Sequence, residues 1–142
     1  MSKNKLDKLV SIKQLQFEPF SQSEFDGLVQ SGKIRLNDAQ NETLSLESRF
    51  DLAYNASHAL SLAALRWHGY RSASRYLVFQ CLRLTLELPN ELWRVMDQAH
   101  RKRNLAEYEG HMDVDQQLVD ALIRVAIEVA DRIDNLPQSN KG

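Results

Sequence analysis

Apolar residues recur along this chain at helical rather than alternating intervals, and each helical run is closed by its own punctuation. Leu6, Leu9 and Val10 mark a short N-terminal helix, followed by an irregular stretch through Glu18, Pro19 and Phe20. Ser21 with Glu24 three residues on is a capping-box signature. The helix it opens places Phe25, Leu28, Val29, Gly32, Leu36 and Ala39 on one side. Glycine within a helix is costly in isolation, so Gly32 on the apolar side points to close approach of another backbone. A second long helix runs from Leu46, after Ser45, to His68, with Gly69 as its stop. It sets Ala53, Ala56, Ala59, Ala63 and Ala64 beside Phe50, Tyr54, Leu60 and Trp67, small residues for close packing and aromatics to fill the ends.

Residues 71–74 read as a loop. A third helix follows from Arg75 to Glu87, burying Tyr76, Phe79, Leu82 and Leu86. Pro89 then introduces a fourth, from Asn90 to Glu109, with Leu92, Val95, Met96, Ala99, Arg103 and Ala106 in one stripe and Gly110 at its end. Asp113 with Gln116 resembles a further cap, before a last helix that aligns Leu118, Ala121, Leu122, Val125, Val129 and Ile133. Short connections favour an all-α fold, an antiparallel bundle of four to five helices. Residues 1–20 form an N-terminal helix and extended segment, 21–136 the bundle, and 137–142 a polar tail expected to be disordered. No internal repeat, strand pair or interdomain linker is expected.

Composition narrows the classes. At 142 residues and a formal net charge of −1, one domain is expected, with no global basic field to attract nucleic acid. Any nucleic-acid contact must rest on a local patch. The single Cys81 excludes an intramolecular disulfide, fits a reducing cytoplasm, and lies in an apolar run where a thiol behaves as a small hydrophobe. No apolar run reaches the about 18 residues of a membrane span, and the start of the chain lacks a signal-peptide block, so a cytoplasmic protein without membrane contact is expected.

Chemistry concentrates in residues 100–110, His-Arg-Lys-Arg-Asn-Leu-Ala-Glu-Tyr-Glu-Gly. Helical spacing projects His100, Arg103, Asn104 and Glu107 together, with Tyr108 beside Asn104. Arg103 interrupts the apolar stripe, and a charge on an inward face is costly unless paired. Glu107, one turn on, is a partner for a bridge that stitches helices together. Alternatively, the planar guanidinium is held for phosphate. His100 is placed to move protons near neutrality, or is simply packed. Arg94 cannot join it, since six residues of helix leave the two about 120° apart. His100, Glu107 and His111 share a face of a continuous helix, but Gly110 interrupts it, so no metal site and no cofactor are expected. Glycine-rich phosphate loops, nucleophile elbows and cysteine zinc frameworks are missing. Arg66, His68 and Arg71 end the alanine-rich helix, where the macrodipole alone favours cations; they also stand to extend a basic surface around Arg101 and Lys102.

Residues 45–71, SLESRFDLAYNASHALSLAALRWHGYR, followed by a helix and then HRKRNLAEYEG, resemble the HEPN superfamily, in particular its small standalone domain proteins. The likeness covers about residues 21–136. It implies a bundle of four or five helices, often a homodimer that sets two motifs across a cleft. Many such proteins are metal-independent endoribonucleases of toxin–antitoxin and antiviral systems; others bind nucleotides or pair with a small nucleotidyltransferase. By this resemblance Arg103 matches the motif arginine and Asn104 the polar residue after it. Where the motif histidine belongs, after four intervening positions, stands Tyr108, and His111 lies beyond the usual window. A phenol of pKa about 10 is a poor base at neutral pH.

The expectation is therefore a dimeric regulatory module with a degenerate active site, contacting RNA, nucleotide or a partner through Arg103, Asn104, Glu107, Arg101 and Lys102. The alternatives are an endoribonuclease using Arg103, His100 and Tyr108, or His111 as proton carrier, and a purely structural dimerisation module.

Overall fold

The computed structural model describes residues 2–137; the expected tail, apart from Pro137, lies outside the described residues. The chain folds into α1 (Ser2–Ser11), β1 (Gln16–Phe17), α2 (Gln22–Ala39), α3 (Leu46–Trp67), β2 (Tyr70–Arg71), α4 (Arg75–Gln80), α5 (Leu82–Thr85), α6 (Asn90–Glu109) and α7 (Gln116–Asp134). It is an all-α helical bundle carrying one very short strand pair.

Side-chain contacts fix the direction of each helix. Arg66 of α3 bonds Glu24 of α2, a Cβ on Gly32 would strike Leu60, and Arg49 donates to the Ala39 carbonyl at 2.9 Å. These pairings descend one helix as they climb the other, so α2 and α3 are antiparallel. Tyr54 with His100 and Ser61 with Met96 set α6 antiparallel to α3. Lys33 of α2 meets Asp134 of α7 at 2.6 Å, and Arg49 approaches Asp120, so α7 runs alongside α3 in the same direction. The long helices thus alternate up and down, with α3 at the centre.

Phe50, Ala53, Tyr54, Leu60, Ala63 and Ala64 of α3 are fully buried in the main core, with Met96 and Ala99 of α6 and Leu122, Ala126 and Val129 of α7. A smaller cluster of Leu6, Leu15, Leu65, Tyr70, Val78 and Cys81 docks α1 onto the end of α3. Cys81 is buried there, and desolvation pushes its thiol up to about 11, so it behaves as a hydrophobe.

Serine side chains cap three helices, at the expected Ser21 and Ser45 and also at Ser74. The hydroxyls of Ser21, Ser45 and Ser74 accept the backbone N–H of Glu24, Ser48 and Leu77. Gly110 takes the left-handed conformation, φ 82°, that a C-terminal stop favours. Gly32 is approached chiefly by a side chain, not a backbone: an added Cβ would lie 2.7 Å from Leu60 Cγ and 3.4 Å from the Ala56 carbonyl.

Other expectations are corrected. Gln16 pairs with Arg71 and Phe17 with Tyr70 as antiparallel strands, so residue 71 is not loop and a strand pair does exist. The third helix is not continuous. It breaks at Cys81, where α4 ends and α5 begins, and Tyr76 is 41% exposed while Val78 takes the buried place beside Phe79. The cap of α7 is Asp115, whose carboxylate accepts the Leu118 N–H at 2.8 Å, because Asp113 lies a half turn too early. On α6 the deepest residues are Trp93, Met96, Asp97 and Ala99, and Leu92 and Val95 are only half-buried.

Candidate functional site

Arg66 is the largest correction at the level of chemistry. It is not a solvated cation at a helix end but is 1% exposed. Its Nε donates to Glu24 Oε1 at 2.5 Å, Nη1 to the Glu18 and Tyr70 carbonyls, and Nη2 to the Pro19 carbonyl at 2.6 Å. Arg71 adds bonds to Glu18 and Glu24. Burial raises the Glu24 pKa, but Arg66 and Arg71 together outweigh that, and its carboxyl stays below the usual range. His68 bonds the Thr85 carbonyl at 3.0 Å. This end of the bundle is a neutralised strut joining the segment before α2 to α3 and β2. It offers no basic surface to Arg101 and Lys102.

The α6 motif divides into separate parts. Arg101 turns to Asp97, at 2.8 Å, away from Arg103. Lys102 is half-buried without an ion pair among the described residues. Tyr108 is 94% exposed. His111 lies in the connection to α7, beside a shallow cavity of about 320 Å³ that also touches Arg103, Glu107, Glu47 and Asp51. Arg103 bonds Glu107 at 3.0 Å, with its side chain 29% exposed. That bridge stays within one helix, so it stitches no two helices together. The contact of Arg103 with α3 is instead over the Tyr54 ring, its guanidinium carbon 5.1 Å from the centroid.

His100 is the hub. Its Nδ1 lies 2.9 Å from Tyr54 Oη, and its Nε2 3.2 Å from Asn104 Nδ2. With the Asn104 amide donating to Nε2, the neutral ring carries its proton on Nδ1 and donates it to Tyr54. The imidazole also stacks on Tyr54, with 11° between planes, and meets the Phe79 ring edge-on.

Two residues outside the expected set complete this surface. Arg75, the first residue of α4, stands over the same Tyr54 ring at 5.5 Å. One of its terminal nitrogens, Nη1, is buried with no hydrogen-bond partner, and among the described residues its guanidinium has no carboxylate. His58, one turn after Tyr54, meets Phe79 edge-on. Its pKa is lowered to about 4, first by desolvation and then by Arg75, His100 and Arg103. Desolvation, Arg75 and Arg103 also lower His100, against a pull upward from Asp97. Two guanidinia and the His100 imidazole, from α4 and α6, therefore surround one buried phenol, and a second neutral imidazole, His58 of α3, joins the cluster through Phe79. The i,i+4 spacing of Tyr54 and His58 was a readable signal; the approach of Arg75 depends on how α4 packs.

Among the described residues no group of three or more His, Cys, Asp or Glu side chains is placed to hold a metal ion. No helix among them is long and apolar enough to cross a membrane. A cavity of about 860 Å³ between α2 and α7, lined by Phe25, Val29, Lys33, Ile34 and Asp134 among others, lies apart from the His100 cluster. Comparison of the chain with protein-family models, curated proteins and solved structures returns no match.

Proposed function

We propose that this chain is a HEPN-like regulatory module, acting as a homodimer, that binds the phosphate of RNA or a nucleotide through Arg103 and Asn104. A toxin–antitoxin or defence setting, with a nucleotidyltransferase among its partners, belongs to the same proposal. The observation that carries it is the pair of guanidinia, Arg103 and Arg75, held over Tyr54 beside the His100–Asn104 bond. Guanidinium forks suit phosphate oxygens, and a low-dielectric aromatic floor strengthens the interaction. Leu105 and Tyr108, both exposed on α6, supply an apolar face for a second copy. Arg103→Ala should weaken binding of a fluorescent single-stranded RNA about tenfold or more. Equal binding by variant and wild type in an anisotropy titration rules out the ligand role. Sedimentation at several concentrations tests the dimer.

The endoribonuclease reading draws on one specific observation. His58 and His100 are held neutral at physiological pH beside two guanidinia, so a base and a charge stabiliser stand together. Incubating structured and single-stranded RNA with the protein in EDTA tests it, and intact RNA throughout would dismiss it. The purely structural reading has less support, because Arg103 makes its ion pair within its own helix.

A further inference from the structure

We propose that Arg75 and His58 join Arg103 and His100 to form a site for a terminal phosphate, the monoester dianion at an RNA end or on a mononucleotide, in preference to an internal phosphodiester. This rests on the reading that the α6 site takes phosphate, and it names which phosphate. The four groups come from three helices: Arg75, Arg103 and His100 meet the Tyr54 ring, with both guanidinium carbons within 5.5 Å of its centroid, and His58 meets the Phe79 ring that itself packs edge-on against Tyr54 and His100. A running backbone is held by cations arrayed along a groove. Most neighbours that would extend such a track are committed elsewhere: Arg101 to Asp97, and Arg66 and Arg71 to Glu18 and Glu24. Lys102 is left beside Arg103 as a cation without an ion pair among the described residues, and one lysine makes no track. Convergent cations without a track fit a compact end group.

The charge balance of the cluster points the same way. Arg75 has no ion pair among the described residues, and Arg103 is paired only with the exposed Glu107, although Glu47 and Asp51 line the same shallow cavity. The groups facing His58 are Arg75 of α4 and His100 and Arg103 of α6, all of them cations or potential cations. Asp97 acts on His100 but is bonded to Arg101. A monoester brings a charge of about −1.5 to −2 and three terminal oxygens, against one charge for a diester. It therefore relieves more of the mutual repulsion and meets more of the donors. The half-buried His58 ring has no hydrogen bond among the described residues, so it is free to gain a proton and donate to the added oxygen.

The experiment compares one short single-stranded RNA carrying a 5′-phosphate, a 3′-phosphate or hydroxyls at both ends, labelled internally, by fluorescence anisotropy at pH 7.5. AMP is the competitor. End-phosphorylated RNA should bind the wild-type protein roughly tenfold tighter than hydroxyl-ended RNA. The 5′, 3′ and AMP arms show which source of monoester the site accepts. Arg75→Gln and His58→Gln should each bring end-phosphorylated RNA down to the hydroxyl-ended level. AMP should also raise the titration midpoint of the His58 ring above about 4 by NMR. Equal wild-type affinity for all three RNAs overturns this inference and leaves Arg103 as a backbone contact. No binding of any RNA or of AMP overturns the phosphate reading itself. The wild-type comparison needs no variant, so a misfolded substitution cannot obscure the result.

Discussion

Arg66 and Arg103 are both arginines on long helices of this bundle, and the structure treats them in opposite ways. Arg66 is enclosed, and each of its nitrogens donates to a carboxylate or carbonyl on the segment before α2, on α2 or on β2. Arg103 is partly open, makes one ion pair within its own helix, and otherwise rests on an aromatic face. A guanidinium whose donors are all engaged joins elements and has nothing left to offer a ligand. One with idle donors and uncompensated neighbours is where an anion gains most. Donor saturation, more than burial or charge alone, separates the two roles.

The sharpest way to break that contrast is to remove each arginine. Arg66→Met should lower unfolding stability by about 3–5 kcal/mol, since it leaves Glu24 with Arg71 as its remaining partner and removes the donor that three carbonyls share. Arg103→Ala should cost under about 1 kcal/mol, as expected for a half-exposed pair within one helix. Urea denaturation of both variants measures this. If the two losses prove equal, Arg103 is a structural residue after all.

Acid should divide the same two regions by pH. The folded pKa of His58 lies near 4 against an ordinary 6.5, so the unfolded chain binds the extra proton first. Its contribution is complete above pH 6.5 and is lost as pH falls towards 4, by up to about 3 kcal/mol. Glu24 is also depressed, but from an ordinary 4.5, so the Arg66 strut holds above pH 4.5 and weakens only as pH falls below it. His58→Gln should flatten the upper part of the acid-unfolding curve, and Glu24→Gln the lower part. Two variants that both alter the same pH range would show that the regions are not independent.

The sequence reading succeeds where a signal is local and fails where it depends on packing. Helix spacing and the Ser21, Ser45 and Gly110 caps are local, and each helix of the bundle was legible from them. The break at Cys81 was not, because Arg75 to Glu87 keeps good helical periodicity and only the docking of α1 on Val78 and Cys81 distinguishes the two halves. The strand pair joins residues separated by two helices, and two-residue strands leave no alternation to read. Arg66 reads as a macrodipole cation because three of its acceptors, the Glu24 carboxylate and the Glu18 and Pro19 carbonyls, lie more than forty residues away in sequence. At the α6 site the same limit applies: His100, Asn104, Arg103 and Glu107 share a helix and their spacing alone groups them, whereas Arg75 and His58 arrive from other helices.

A smaller effect probes the hub that joins α3 to α6. Tyr54→Phe keeps the ring that Arg75 and Arg103 cover but deletes the hydroxyl bonded to His100. The cost should be about 1 kcal/mol, that of one buried hydrogen bond. The His100 ring should also lose its fixed tautomer, visible in its NMR nitrogen shifts. Unchanged shifts would mean that Asn104 alone orients the imidazole.

Tyr108 should matter least. At 94% exposure, Tyr108→Ala should change stability by no more than about 0.5 kcal/mol. The more telling substitution is Tyr108→His, which sets a histidine four intervening residues after Arg103, the first of them the polar Asn104, on the same helix. Five residues turn the helix by about 500°, which leaves the new imidazole about 140° away from Arg103. A histidine there points to solvent while Arg103 leans over Tyr54, so within one protomer it reaches neither the guanidinium pair nor His58. Tyr108→His should therefore leave RNA intact in EDTA if the site is built around Tyr54 within one chain. Cleavage by that variant would mean that a second copy brings its own residue 108 to the opposing Arg103, and that the working site lies between protomers.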